Sequence, residues 1–290
     1  MKLIVKFNLI FVSMFLLGLS VAGSISYNLL QKNAREEILQ NARIIMQSTL
    51  ATRSYTSAQI APLLQTQLKY TFLPQTVSAF AATETFNLLR HVYPEFSYKE
   101  ATLNPTNPRN RVTDWEADIV NQFRNNDNVK EVIGERDTPT GKALYLAQPL
   151  RVGSAACLQC HSTVEAAPAT MIEKYGNANG FGWKLNEIVG AQVVTIPSDV
   201  PLKRAHQAFQ MFMLSLTSVF LVIFLALNLM LYKMVIRPVT QLSQLADEVS
   251  LGNLDAPEFP VKGKDEISAL GASFDRMRKS LVKALNLLEE

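Results

Sequence analysis

The chain has 290 residues, of which 48% are hydrophobic and 18% charged, with a formal net charge of +3. That length holds one domain of sensor size plus smaller pieces. Its lysines and arginines are scattered rather than concentrated in one basic patch, which argues against nucleic acid as a partner.

The apolar excess lies in two runs. The first, residues 7–30, carries no charge over 24 residues. At about 1.5 Å per residue it exceeds a hydrocarbon core of ~30 Å, so it can span a bilayer. Lys2, Lys6 and the small-residue stretch Val21-Ala22-Gly23-Ser24 also fit a cleaved signal peptide. Retention is the better reading: the run is longer than a signal core of about 7 to 15 residues and passes without a breaker into a helical pattern. That pattern places Leu30, Ala34, Ile38, Ala42 and Ile45 three or four residues apart, with Lys32, Arg35, Glu36 and Glu37 between them. It continues through Leu50 and Tyr55 to Leu63 and ends before Pro74. Such a helix would rise from the membrane and pack on a partner copy or on its own domain.

A second helix is predicted over 77–89. Tyr93-Pro94 and then Asn104-Pro105-Thr106-Asn107-Pro108-Arg109-Asn110 disfavour regular structure and read as a loop. Thr113-Asp114-Trp115-Glu116 is a capping box, opening a helix that reaches Phe123 and is ended by residues 125–128. Residues 134–141 read as a turn, and 143–152, with Leu144, Leu146 and Leu150, as a strand.

Directly after that strand comes Cys157-Leu158-Gln159-Cys160-His161, which uses both cysteines of the chain. This is the spelling that attaches haem covalently in c-type cytochromes, with two thioethers to one porphyrin edge and the histidine as proximal iron ligand. Three alternatives explain the residues less well. A thioredoxin-like pair needs no histidine and sits in a βαβ context. A structural zinc site needs four ligands, and only His91 and His206 remain, the latter beside an apolar run. A Cys157–Cys160 disulfide would close too short a loop to constrain the unfolded chain.

Beyond the motif, residues 164–175 form a short predicted helix, interrupted near Pro168 and closed by Gly176. Residues 175–183 are then a glycine-rich loop bearing Phe181 and Trp183. It is read either as a surface turn or as a haem-contacting segment. Residues 188–196 look like a strand that leads, through Pro197 and Pro201, to the second apolar run, 208–232, which is uncharged over 25 residues and followed by Lys233 and Arg237. Leu242, Leu245 and Val249 then have helical core spacing until Gly252. After Asp265-Glu266, the residues Ile267, Leu270, Phe274, Met277, Leu281, Ala284 and Leu288 form a heptad seam, which needs a partner helix to bury it.

For the distal face of the iron, the absence of a third cysteine excludes a second thiolate. Met46, Met171 and His91 are the candidate ligands, and the residues do not choose among them. A methionine in either place is more often packing. Methionine ligation would raise the reduction potential, and a vacant face would admit a gas.

The arrangement of membrane helix, proline, amphipathic helix, connector and Asp-Glu-led heptad helix from Met234 to about Leu288 resembles a HAMP domain, the parallel four-helix dimer module of bacterial membrane receptors. The preceding part resembles a family of haem c-binding, PAS-like sensor domains catalogued as a domain of unknown function. The matching stretches are residues 104–110, Cys157-Leu158-Gln159-Cys160-His161, Ala166-Ala167-Pro168 and 175–183. This resemblance implies a mixed helix and sheet domain binding one covalent haem c.

The expectation is thus an α+β protein with a cytoplasmic N-terminus (1–6), transmembrane helix 7–30, periplasmic PAS-like haem domain 31–207, transmembrane helix 208–232 and an all-α HAMP module 233–290. Cytochrome c maturation outside the bacterial cytoplasmic membrane sets that orientation, because charge counts fail across a long intervening domain. The expected role is a non-enzymatic inner-membrane sensor of redox state or a diatomic gas, homodimeric through its HAMP helices and signalling to a separate cytoplasmic output protein. The alternative is a membrane-anchored monohaem cytochrome that passes electrons to a periplasmic redox partner. It leaves the HAMP-like tail without a purpose.

Overall fold

A computed structural model describes residues 2–139, 141–253, 257, 259 and 263–289, the last five of these by backbone alone. In chain order the principal elements are α1 (Leu3–Tyr55), α2 (Ser78–Leu89), β1 (Ser97–Thr102), α3 (Asp114–Asn125), β2 (Val132–Thr138), β3 (Gly141–Arg151), α4 (Ala155–His161), α5 (Ala169–Tyr175), β4 (Ile188–Pro197), α6 (Asp199–Leu231), α7 (Arg237–Ser250) and α8 (Glu266–Glu289). They fall into two compact units, Asn28–Gln207 and the flanking segments Met1–Tyr27 with Ala208–Glu290.

The first unit is mixed helix and sheet. Its four strands form one antiparallel sheet in the order β1-β4-β3-β2. β4 is interior and almost wholly buried, because helices cover both sheet faces. On one face Ile38, Ala42 and Met46 of α1 and Ala82 and Phe86 of α2 pack on Tyr98, Leu144, Leu146, Val194 and Ile196. On the other, Ile119, Val120 and Phe123 of α3 pack on Ala101, Ala147, Ala191 and Val193. The helix rising from the first apolar run therefore buries one face on its own domain. Small residues make this close approach feasible: Ala34 and Ala42 sit on the buried stripe.

Several predicted elements appear as read. α3 begins with the Thr113–Glu116 capping box, in which Glu116 Oε2 accepts from the Thr113 backbone N–H at 2.7 Å. α2, β3 and β4 lie where hydrophobic spacing puts them. Three readings need correction. Residues 134–138 are not a turn but the second half of β2, and the reversal waits for Gly141, at φ +117°. Gly134 is a strand glycine because it faces Tyr145, whose ring fills the place a Cβ would take. The helix predicted from 164 starts only at Ala169, since Pro168 has extended backbone and caps it. Strand β1 has no counterpart in the sequence reading.

β1 was hidden by its charges. Glu100 is 1% exposed, on the sheet face that packs on α1. It is ion-paired with Arg53 of α1 and accepts a hydrogen bond from Tyr98 Oη at 2.8 Å, while Gln192 Nε2 donates to Tyr98 Oη at 3.0 Å. Burial, with Glu100 beside it, pushes the Tyr98 phenol far above its ordinary pKa, so this hydroxyl stays a donor. On the other face, Lys99 Nζ meets Glu116 Oε2 at 2.7 Å.

In the second unit the two apolar stretches touch through rings: Phe11 lies 5.2 Å from Phe220, and Tyr27 stands edge-on to Phe209 at 5.5 Å. Two helices among the described residues, Leu3–Leu63 and Asp199–Ser250, are long and apolar enough to cross a membrane, and the protein covers almost none of their apolar surface. Further on, Leu242 and Val249 of α7 are buried, and Phe259 lies against Gly271 of α8. Of the predicted seam, Leu270, Met277 and Leu281 are 52%, 62% and 43% exposed. Ile267 and Phe274 are half-buried, and the side chain of Leu288 lies outside the described residues.

Removing one member of a buried ion pair strands the other charge, at a cost of about 3 kcal/mol or more, whereas replacing both with apolar groups is close to neutral. In urea melts of the full chain in detergent, Arg53→Met should lose about that much stability. Arg53→Met with Glu100→Leu should recover most of it.

Candidate cofactor-binding site

The cysteine motif lies where the interior strand β3 leaves the sheet. Val152 and Asn186 exchange backbone bonds with the far side of the loop: Val152 N–H donates to Glu187 O, and Asn186 N–H to Val152 O, each at 2.9 Å. Arg151 Nη1 adds a bond to Asn186 O at 2.7 Å. This clip brings β3 and the start of β4 together, so the residues between them form one closed excursion. Ser154 then starts α4 as an N-cap, its Oγ accepting from Ala156 N–H at 3.2 Å.

Within α4, Cys157 and Cys160 are three residues apart and so project from one helix face. Both thiols are free and half-buried. Burial, with Cys157 adding to it, raises the Cys160 pKa, so that thiol is held protonated. His161 is the last residue of α4, and its Nδ1 lies 2.7 Å from the Gly180 carbonyl oxygen. A carbonyl only accepts, so Nδ1 carries the proton and Nε2 keeps its lone pair. Burial lowers the His161 pKa and the Gly180 bond opposes this only in part, so the imidazole is neutral at pH 7. The Trp183 indole stacks on the imidazole, with ring centroids 3.9 Å apart and 13° between planes.

The glycine-rich loop is fastened to the motif by its backbone. Gly182 N–H donates to Ser162 O at 2.8 Å and Trp183 N–H to His161 O at 3.1 Å. Gly180 adopts φ +89°, and a Cβ there would collide with Thr106. Asn104 binds the same loop twice: its Oδ1 accepts from Gly180 N–H at 3.0 Å and its Nδ2 donates to Phe181 O at 3.2 Å. Thr106 Oγ1 stands 3.4 Å from His161 Nδ1.

Of the residues singled out in the sequence, Cys157, Cys160, His161 and Trp183 are thus gathered at one place. Phe181 is half-buried in the same loop, held by its carbonyl. Met46 is fully buried in the core between α1 and the sheet. Met171 is buried on α5, and His91 is exposed beyond the end of α2. Asn104, Thr106, Gly180 and Arg53 were not foreseen. Arg53 is shielded from water, which works against its charge. Glu100 and then Tyr98 and Cys157 outweigh this, leaving its pKa above the ordinary value.

The residues fit a covalently attached haem. Two thiols share one face, and the adjacent imidazole has Nδ1 engaged by a carbonyl and Nε2 available. Among the described residues no group of three or more His, Cys, Asp or Glu side chains is gathered so as to hold a metal ion by itself.

Gly180→Ala places an L-side chain at positive φ and against Thr106, and should cost about 1–2 kcal/mol or more. Gly153→Ala, whose Cβ would meet nothing within 4 Å, should be neutral. Trp183 fluorescence checks the cause, because loss of the stack on His161 should change it in the first variant alone.

No curated protein matches the sequence. A similar solved structure is the crystal structure of the cyanobacterial heme-protein Tll0287, at 20% identity and a TM-score of 0.45, covering 56% of this chain and 95% of that one. The HAMP domain family matches residues 230–283, and the Tll0287-like family (Tll0287) matches residues 31–197, more than half of the chain. The chain therefore belongs to the Tll0287-like family and carries a HAMP domain behind its second apolar helix.

Proposed function

We propose that this protein is a membrane-bound signal-transduction sensor whose domain between the two apolar helices holds one haem c covalently, through Cys157 and Cys160, with His161 as proximal iron ligand. The observation that carries the reading is the paired free thiols on one face of α4 beside an imidazole whose Nδ1 is committed to Gly180 O. Membership of a family named after a heme-protein supports it, and the HAMP domain supports signalling as the output. A haem held there would supply a one-electron redox couple and, with a free or displaceable distal face, a place for a gas to bind, so the stimulus is redox state or a diatomic gas.

The chain's own residues would do three things. Cys157 and Cys160 fix the cofactor edge to α4. His161, oriented by Gly180 and backed by Trp183, supplies a neutral Nε2. Arg53, ion-paired with Glu100, ties β1 to α1, the helix that also carries the apolar run 7–30. A stimulus must favour one of two helix arrangements to be transmitted, and a difference of about 1–3 kcal/mol is enough. The haem domain is assigned to the periplasm of a bacterial inner membrane and the HAMP helices to the cytoplasm.

Optical spectra of the purified protein, oxidised and reduced, before and after carbon monoxide and nitric oxide, test this directly. Wild type should carry haem that resists extraction by acidic acetone, and Cys157→Ala with Cys160→Ala should not. New bands on gas addition assign gas sensing, whereas reversible redox spectra unmoved by gas assign redox sensing or electron transfer.

The seam on α8 provides the partner. Its exposed Leu270, Met277 and Leu281 need a second helix to cover them, and a second copy in parallel would do so. Met277→Cys should therefore crosslink in membranes to a species of twice the chain mass. A monomer only would exclude the homodimer.

A further inference from the structure

We infer that Asn104 is the positioning residue for the proximal histidine, acting through the Gly180 carbonyl to set the strength of the hydrogen bond at His161 Nδ1. The inference rests on the reading of His161 as an iron ligand.

Asn104 lies just beyond β1, in a loop secured at both ends. Leu103 N–H donates to Val189 O and Val112 N–H to Thr102 O, each at 3.2 Å. Asn107 Oδ1 accepts from Arg109 N–H at 3.2 Å, tightening the middle. From this frame two side chains bond the glycine-rich loop, Asn104 at Gly180 and Phe181 and Arg111 Nη2 at Asn179 Oδ1 at 3.1 Å, while Thr106 reaches His161 at the end of α4. Asn104 is the one that spans the peptide carrying the critical carbonyl. Its acceptor takes the N–H of Gly180 and its donor holds the C=O of Phe181, so the Gly180 C=O between them is locked in direction. A carboxamide is needed for this, because a carboxylate has no donor for Phe181 O. Gly180 cannot slip aside either, since Thr106 fills the space beside its Cα.

The consequence for the iron is electronic. A well-aligned acceptor on Nδ1–H makes an imidazole a stronger donor to its metal, and such outer partners tune the metal as well as orient the ligand. Stronger donation favours the oxidised iron. Releasing the Gly180 carbonyl should therefore shift the couple toward the reduced form without touching a covalent attachment.

The test is the midpoint potential of the full-length protein in detergent, by spectroelectrochemistry, for wild type, Asn104→Ala, Asn104→Leu and the remote control Asn121→Ala. Both Asn104 variants should raise the reduced-to-oxidised ratio at fixed potential by three- to tenfold, where tenfold is about 59 mV for one electron, and Asn121→Ala should not. Leucine keeps the volume and loses both hydrogen bonds, so a wild-type potential in Asn104→Leu would mean packing alone and overturn the inference. So would unchanged or lowered potentials in both variants. If Asn104→Ala does not accumulate as haem protein, Asn104→Ser takes its place with the same expected sign. A wild type without covalent haem would instead overturn the function proposed above, and the inference with it.

Discussion

The 2.7 Å contact between His161 Nδ1 and the Gly180 carbonyl is the constraint around which the site is organised. It decides the tautomer, because the oxygen has no proton to give, and so decides which ring nitrogen is free. It also demands that two segments 19 residues apart meet. The clip between Val152 and residues 186–187 brings the ends of the excursion together. Positive-φ backbone at Gly180 and Gly182 then turns the loop back on the motif, a conformation a side chain would oppose. The Trp183 indole stacks on one face of the imidazole, which limits its rotation.

A second constraint is a buried polar group. Along the sheet face that packs on α1, the core is apolar at Leu144, Leu146, Val194 and Ile196, and then becomes polar at Tyr98, Glu100 and Gln192 with Arg53 above them. Burying such charges contributes little net stability compared with apolar residues of the same volume. A fold seeking only stability has no reason to place them there. The arrangement ties α1 to β1 by a directional contact, because Glu100 is buried, ion-paired with Arg53 and hydrogen-bonded by Tyr98.

How much of this the sequence disclosed depends on how local each signal was. The motif, the capping box at Thr113 and the apolar run of β4 are each written within a dozen residues, and each was readable. Gly134 misled because glycine's freedom marks turns, while here it makes room for Tyr145 across a hairpin. β1 was invisible because Lys99 and Glu100 look like solvent-facing residues until Glu116 and Arg53 arrive from elsewhere. Asn104 stood in a stretch recognisable as unusual, but its bonds to Gly180 and Phe181 span 76 and 77 residues, and no periodicity encodes such a pairing.

α1 shows where the same reasoning leaves two possibilities and packing decides. Its period was compatible with a partner copy or with the sheet, since an apolar stripe does not name what covers it. Ile38, Ala42 and Met46 are covered by the sheet, whereas Ile44, on another face, is 58% exposed. Met46 therefore already has a full set of apolar neighbours. To ligate a metal it would have to leave them, at a cavity cost of about 2–5 kcal/mol for a side chain of that size. Met171 is 2% exposed on α5 and would leave a cavity of its own, whereas His91 is exposed. Packing thus weighs against both buried methionines as ligands, and it sets no such cost on the exposed His91.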